Sequence, residues 1–127
     1  MSRKLIYVAG PMTPRGKRDD TDNAAIEYLL NIRDLIDAGR DLIAKGYAPY
    51  TPGLDYGYFL SLQPGQVISE GAIKDVSMAF LEVCDCAVFL PRWEGSRGCE
   101  EEYARVCELE MPHWFGLENV PDDGGAE

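Results

Sequence analysis

Hydrophobic positions along this chain switch repeatedly between the period of a strand and that of a helix. Leu5-Ile6-Tyr7-Val8-Ala9 is a short run rich in β-formers, stopped by Gly10-Pro11, and predicts a buried first strand. From about Asp22 to Lys45, Ile26, Leu29, Leu30, Leu35, Ile36, Leu42 and Ile43 recur at helical spacing. Asp22 is placed to cap this helix and Gly46 to end it. Tyr47-Ala48-Pro49-Tyr50 reads as a short second strand, ended by Thr51-Pro52-Gly53. A long loop with Asp55 and several tyrosines leads to a second helix near residues 67–83, with Ile73, Val76, Phe80 and Val83 as its apolar face. Cys86-Ala87-Val88-Phe89-Leu90 is nearly all apolar, the mark of a central strand covered on both sides. The loop Pro91 to Ser96, a helix over 97–109 and a last strand near Pro112 to Gly116 follow.

Strands alternating with helices imply right-handed crossovers and a parallel sheet flanked on both faces. The expected fold is therefore a doubly wound α/β domain, Rossmann- or flavodoxin-like, with four or five strands. With 127 residues and 46% hydrophobic content the chain buries one core, and residues 1–116 read as one domain. Residues 117–127, with Pro121, Asp122, Asp123, Gly124 and Gly125 and no periodicity, read as a mobile acidic tail. No internal repeat or interdomain linker precedes it.

One acid does not fit a solvated surface. On a helix over 97–109, Cys99, Tyr103, Val106, Cys107 and Leu109 gather on one side, and Glu102 falls between Val106 and Leu109 on that side. Glu101 and Glu108 project the opposite way and Glu100 sits at the edge. A carboxylate facing a core is costly unless it is paired, hydrogen-bonded or lining a cavity, so Glu102 is the leading candidate for chemistry.

Charge and cysteine content narrow the partners. The formal charge of −10, from 12 basic and 22 acidic residues, opposes binding to a nucleic-acid polymer and leaves a small molecule as the expected ligand. Arg15, Lys17 and Arg18 cluster beside the Gly10-Pro11-Met12 turn, where they meet a small anion or form a solvated loop ahead of Asp19 and Asp20. The four cysteines lack zinc-site spacing and His113 is the only histidine, so neither metal nor cofactor is expected and the thiols read as buried and reduced. The absence of a signal-like or membrane-length apolar stretch points to a cytoplasmic protein with no membrane partner.

In doubly wound sheets ligands bind beyond the carboxyl ends of the strands where the winding reverses, here between the first and third strands. The loops at that point are Gly10-Pro11-Met12 and Pro91 to Gly98. The second runs into the Glu102 helix, whose N-terminus, with Ser96 and Gly98, offers a hydroxyl and backbone N–H groups to an anion. These features indicate one cleft.

Two motifs resemble the nucleoside 2-deoxyribosyltransferase superfamily, which includes deoxynucleoside 5′-monophosphate N-glycosidases and a phage and bacterial branch. They are Tyr7-Val8-Ala9-Gly10, similar to the family's Tyr-x-x-Gly, and Ser96-x-Gly98-x-x-x-Glu102-x-Ala104, similar to its Ser/Asp-x-Gly-x-x-x-Glu-x-Gly/Ala. The resemblance runs from Lys4 to about Val106. It implies cleavage of the N-glycosidic bond of a deoxynucleoside or its 5′-monophosphate, by hydrolysis or transfer, with Glu102 as nucleophile and Tyr7 orienting it. Tyr7 alternatively fills core as an ordinary strand tyrosine. The resemblance also implies that Ser96 meets a 5′-phosphate, although a serine that merely caps the helix looks the same.

The family pattern expects an aspartate eight residues before Asp85, and Ser77 stands there. Asp75 lies two residues away but faces solvent on the helical projection. The proton for the leaving base then comes from Asp55 or Glu70, or from a neighbouring subunit. Otherwise the chain is a non-catalytic nucleotide-binding or sensing module. Trp93, Tyr56 and Tyr58 either stack on a base or make protein contacts. Family members form dimers or larger assemblies, and Tyr56 to Leu62 is apolar enough for such an interface.

Overall fold

The computed structural model describes residues 2–122. Four strands, β1 (Leu5–Ala9), β2 (Ala48–Tyr50), β3 (Cys86–Phe89) and β4 (His113–Phe115), form one sheet in the order β2-β1-β3-β4. Every pairing is parallel, with Tyr7 opposite both Tyr50 and Ala87. The helices are α1 (Ala24–Ala44), α2 (Tyr56–Leu60), α3 (Glu70–Val83) and α4 (Arg97–Glu108). This is the doubly wound α/β architecture, with β1 and β3 adjacent where the winding reverses.

Alternation along the strands builds two cores. Ile6, Val8, Cys86 and Val88 pack with Leu35, Ala38 and Leu42 of α1. Tyr7, Ala9, Ala87 and Phe89 point the other way, against Leu81 of α3 and Val106 of α4. Leu81 and Val106 are both fully buried, and each such side chain contributes about 1.5–3 kcal/mol. Asn23 rather than Asp22 caps α1, its Oδ1 accepting from the Ile26 N–H, and Gly46 ends the turn after that helix at φ +99.

The helices bury different faces from those expected. On α1 the buried set is Glu27, Asn31, Ile32, Leu35, Ala38, Gly39 and Leu42, whereas Ile26, Leu29, Ile36 and Ile43 are exposed. Polar residues move inward because loops need them. The Glu27 carboxylate accepts from the backbone N–H groups of Arg15 and Gly16, and Asn31 Nδ2 donates to the Met12 carbonyl. On α3, Ser77 and Leu81 are buried while Val76, Phe80 and Val83 are exposed. On α4, Cys99 and Val106 are buried as expected, but Cys107 and Leu109 are exposed.

The segment after residue 116 corrects the expected boundary. Leu117–Asn119 forms one 3-10 turn and Val120, 3% exposed, joins the α1-side core. Lys45 Nζ donates to the Leu117 and Val120 carbonyls and Tyr47 O–H donates to the Pro121 carbonyl. The packed unit therefore extends past residue 116. The remainder of the expected mobile tail, 123–127, lies outside the described residues. Among those described, no helix is long and apolar enough to cross a membrane.

Candidate functional site

Alternation along β1 turns Tyr7 toward the layer of α3 and α4. Helix α4 starts at Arg97, so Glu102 comes up in its second turn on the side of the buried Cys99 and Val106. There the Tyr7 O–H donates to Glu102 Oε2. Burial pushes the Glu102 carboxyl up to about 7, against the Tyr7 hydrogen bond, which favours the charged form. Burial, followed by the charge of Glu102, drives the Tyr7 hydroxyl far above its ordinary value, so Tyr7 remains a neutral donor.

The same face gathers three residues from separate elements. Tyr50, paired with Tyr7 across β1 and β2, stacks on the Tyr7 ring at 5.6 Å between centroids and on Phe80 at 4.5 Å. Its O–H donates to both Asp55 carboxylate oxygens, at 3.2 and 3.1 Å. Asp55 ends the single turn Pro52–Asp55 and is 7% exposed. The buried Ser77 hydroxyl interacts with Tyr7, Tyr50 and Asp55. Burial raises the Asp55 carboxyl above the usual aspartate range and Tyr50 to about 12. One buried carboxyl, Asp55, one half-buried carboxyl, Glu102, and three hydroxyls thus share one wall, with exposed Phe80 at its margin. Asp75 and Glu70 face solvent.

Ser96 occupies the N-cap position of α4, yet its side chain makes no capping bond; its hydroxyl meets the Cys99 thiol instead. A Cβ at Gly98 would meet no protein atom within 4 Å, so space beside the start of α4 is open. Arg15 reaches this loop, donating to the Arg92 carbonyl at 2.6 Å and the Glu94 carbonyl at 3.0 Å.

The remaining expected site residues are elsewhere. Gly10 and Pro11 line a cleft of about 230 Å³ with Leu35, Asp34 and Asp37 of α1, and Met12 packs on the α1-side core. The single cleft expected from sequence is thus divided, with Gly10, Pro11 and Met12 on one side of the sheet and Tyr7 with Glu102 on the other. Trp93 stacks on Phe115 and tilts against Tyr103 and Phe89, which commits its ring to an aromatic cluster that also takes His113. The basic cluster is largely engaged within the chain. Arg18 pairs with Asp20 and Asp34, and Glu27 fills the backbone turn at Arg15 and Gly16. Tyr58 is 56% exposed, and the Tyr56 side chain lies outside the described residues.

The thiols divide, with Cys86 and Cys99 buried, Cys84 half-buried and Cys107 exposed, the last against the expectation of burial. Among the described residues no three His, Cys, Asp or Glu side chains gather as a metal ion would need.

Residues 4–112 match the family described as a domain of unknown function, DUF4406. The chain belongs to the DUF4406 family. That match contains both strands that meet at the winding reversal, all of α3 and α4, and each of Tyr7, Tyr50, Asp55, Ser77 and Glu102. No curated protein matches the chain. In this DUF4406 domain, sequence reasoning missed Tyr50. Its signal was available in the parallel pairing of the first two strands, which sets Tyr50 beside Tyr7.

Proposed function

We propose that this DUF4406 domain cleaves the N-glycosidic bond of a deoxynucleoside or deoxynucleoside 5′-monophosphate through Glu102. The observation that carries the reading is the half-buried Glu102 carboxyl held by the Tyr7 hydroxyl on the sheet's α3–α4 side. Breaking the bond builds positive charge at the anomeric carbon, and a carboxylate beneath the sugar attacks that carbon or stabilises it. Tyr7 fixes the direction of attack. The pattern Ser96-x-Gly98-x-x-x-Glu102, similar to that of nucleoside 2-deoxyribosyltransferases, supports the substrate class. Ser96, free of a capping bond, and the open space at Gly98 leave room for a 5′-phosphate at the start of α4. Hydrolysis needs no second nucleoside and is the simpler of the two outcomes.

Chromatography of free base, after incubating wild type and Glu102→Ala with deoxynucleosides and their 5′-monophosphates, tests this reading. Release by wild type alone supports it. Binding by calorimetry with no release from any substrate supports a second reading, a nucleotide-binding module, which Ser77 favours by standing where the pattern of nucleoside 2-deoxyribosyltransferases has an aspartate.

We also propose self-association. Leu29, Ile36 and Ile43 recur every seventh residue on the outer side of α1 and are between 43 and 54% exposed, a spacing that suits helix-to-helix packing. Tyr58, Phe59 and Leu60 add a second exposed apolar stretch. Sedimentation velocity of wild type and Ile36→Glu tests the α1 seam, and a monomeric wild type removes the proposal.

A further inference from the structure

We infer that Asp55 is the acid that protonates the departing base, a role that rests on the glycosidase reading of Glu102. The leaving nitrogen of a nucleobase is a poor leaving group unless it gains a proton as the bond breaks, so a second carboxyl must stand near the first. The acids around α3 and α4 are mostly committed or outward. Glu101 pairs with Lys74, Glu100 accepts from the Gly95 N–H, and Glu82 pairs with Arg105. Asp85 accepts from the Leu5 N–H, and Asp75 and Glu70 face solvent.

Asp55 differs from all of these. It is buried, it has no cationic partner among the described residues, and its contacts are the hydroxyls of Tyr50 and Ser77. Tyr50 stacks on Tyr7, so the two tyrosines hold the two carboxyls on one wall, Tyr50 donating to Asp55 and Tyr7 to Glu102. The ring series continues to Phe80, stacked on Tyr50 within 10° of parallel and 46% exposed, which gives a base a flat surface beside Tyr50, the partner of Asp55. Burial without a cation favours the protonated carboxyl, the form an acid catalyst needs.

The steps balance. A Glu102 oxygen bonds to the anomeric carbon as the carbon–nitrogen bond breaks, and the electron pair of that bond stays on the base nitrogen, which takes the Asp55 proton. Water then attacks the anomeric carbon and gives its proton to the Asp55 carboxylate, while Glu102 departs as carboxylate. Base and deoxyribose are released and both acids return to their starting forms.

The test compares two substrates, a deoxynucleoside monophosphate and the 5′-phosphate of a 2-deoxyriboside whose leaving group is 4-nitrophenolate, which departs without a proton. In Asp55→Asn the ratio of kcat/KM for the nitrophenyl substrate to that for the nucleotide rises by about 100-fold or more. Asp55→Glu, which keeps an acid, holds the ratio near wild type, and Glu102→Gln lowers both rates together. Circular dichroism melts confirm folding, and Asp55→Ser is a second variant without an acid should the asparagine form fail to fold. An unchanged ratio in the folded acid-less variant overturns the assignment of Asp55 alone. A wild type inert toward both substrates overturns the glycosidase reading and this inference with it.

Discussion

Replacing Glu102 by glutamine isolates the cost of charging a carboxyl largely withdrawn from water. In the folded chain burial holds the pKa of Glu102 near 7, against an ordinary value of 4.5 for an unfolded glutamate. The folded state therefore binds this proton more tightly. The resulting stability is fully present below about pH 4.5 and is lost as pH rises through about 7. Moving a pKa that far corresponds to about 3 kcal/mol, a large share of the roughly 5–15 kcal/mol that holds a domain folded. Glutamine keeps the shape and an oxygen to accept from Tyr7 but carries no charge at any pH. Glu102→Gln should match wild type at about pH 4.5 and exceed it by about 2–3 kcal/mol at about pH 8. Urea unfolding of both proteins across that range, followed by circular dichroism, reads the difference directly, because every other titrating group is common to the pair. A difference that stays constant with pH would refute the reasoning. So would one that grows toward acid, since that is the sign expected if the Tyr7 hydrogen bond outweighed burial.

Three further outcomes follow from the packing. Tyr7→Phe removes the donor that favours the charged Glu102, so the pH at which base release becomes half-maximal should move upward by about one unit or more, read from a pH–rate profile. Leu81→Ala, at a fully buried contact between α3 and the sheet, should cost about 2–5 kcal/mol in urea unfolding. Gly39→Ala would ordinarily strengthen a helix by nearly 1 kcal/mol, but its Cβ would stand 2.7 Å from Thr51 Oγ1. The substitution should therefore destabilise by about 1–2 kcal/mol in wild type and stabilise in a Thr51→Ala background, as judged by thermal melts of the four proteins.

The strands, and the meeting of the first and third, were legible because a parallel sheet covered on both sides demands nearly continuous apolar runs, and β1 and β3 have little else. Helix faces were less legible. On α1 the apolar residues form two stripes, and periodicity cannot tell which one meets the sheet. The choice was made by Glu27 and Asn31, whose polar ends satisfy the loop after β1, and by Ala38 and Gly39, which let the helix come close. A hydrophobicity pattern scores all four as surface. The same limit hid the packing of Val120, whose partners Lys45 and Tyr47 come from the far end of α1 and the turn after it.

The candidate site was legible in proportion to how local its logic is. Glu102 stood out because one helix, taken alone, turns it inward, and Tyr7 because the short motif it opens resembles that of a known family. Asp55 obeys neither rule. It reaches the wall only because the parallel register places Tyr50 beside Tyr7, and because a single turn after β2 brings the chain back within 3.2 Å of the Tyr50 hydroxyl. That placement also gives Ser77 a physical meaning. A short hydroxyl side chain on α3 leaves the wall to a carboxyl arriving from the opposite direction, whereas an aspartate at position 77 would crowd a second carboxyl against Asp55 in a buried place, where ionising either one is costly. A serine at 77 and an aspartate at 55 are thus two halves of one arrangement, in which the turn after β2 and not α3 supplies the carboxyl of the wall.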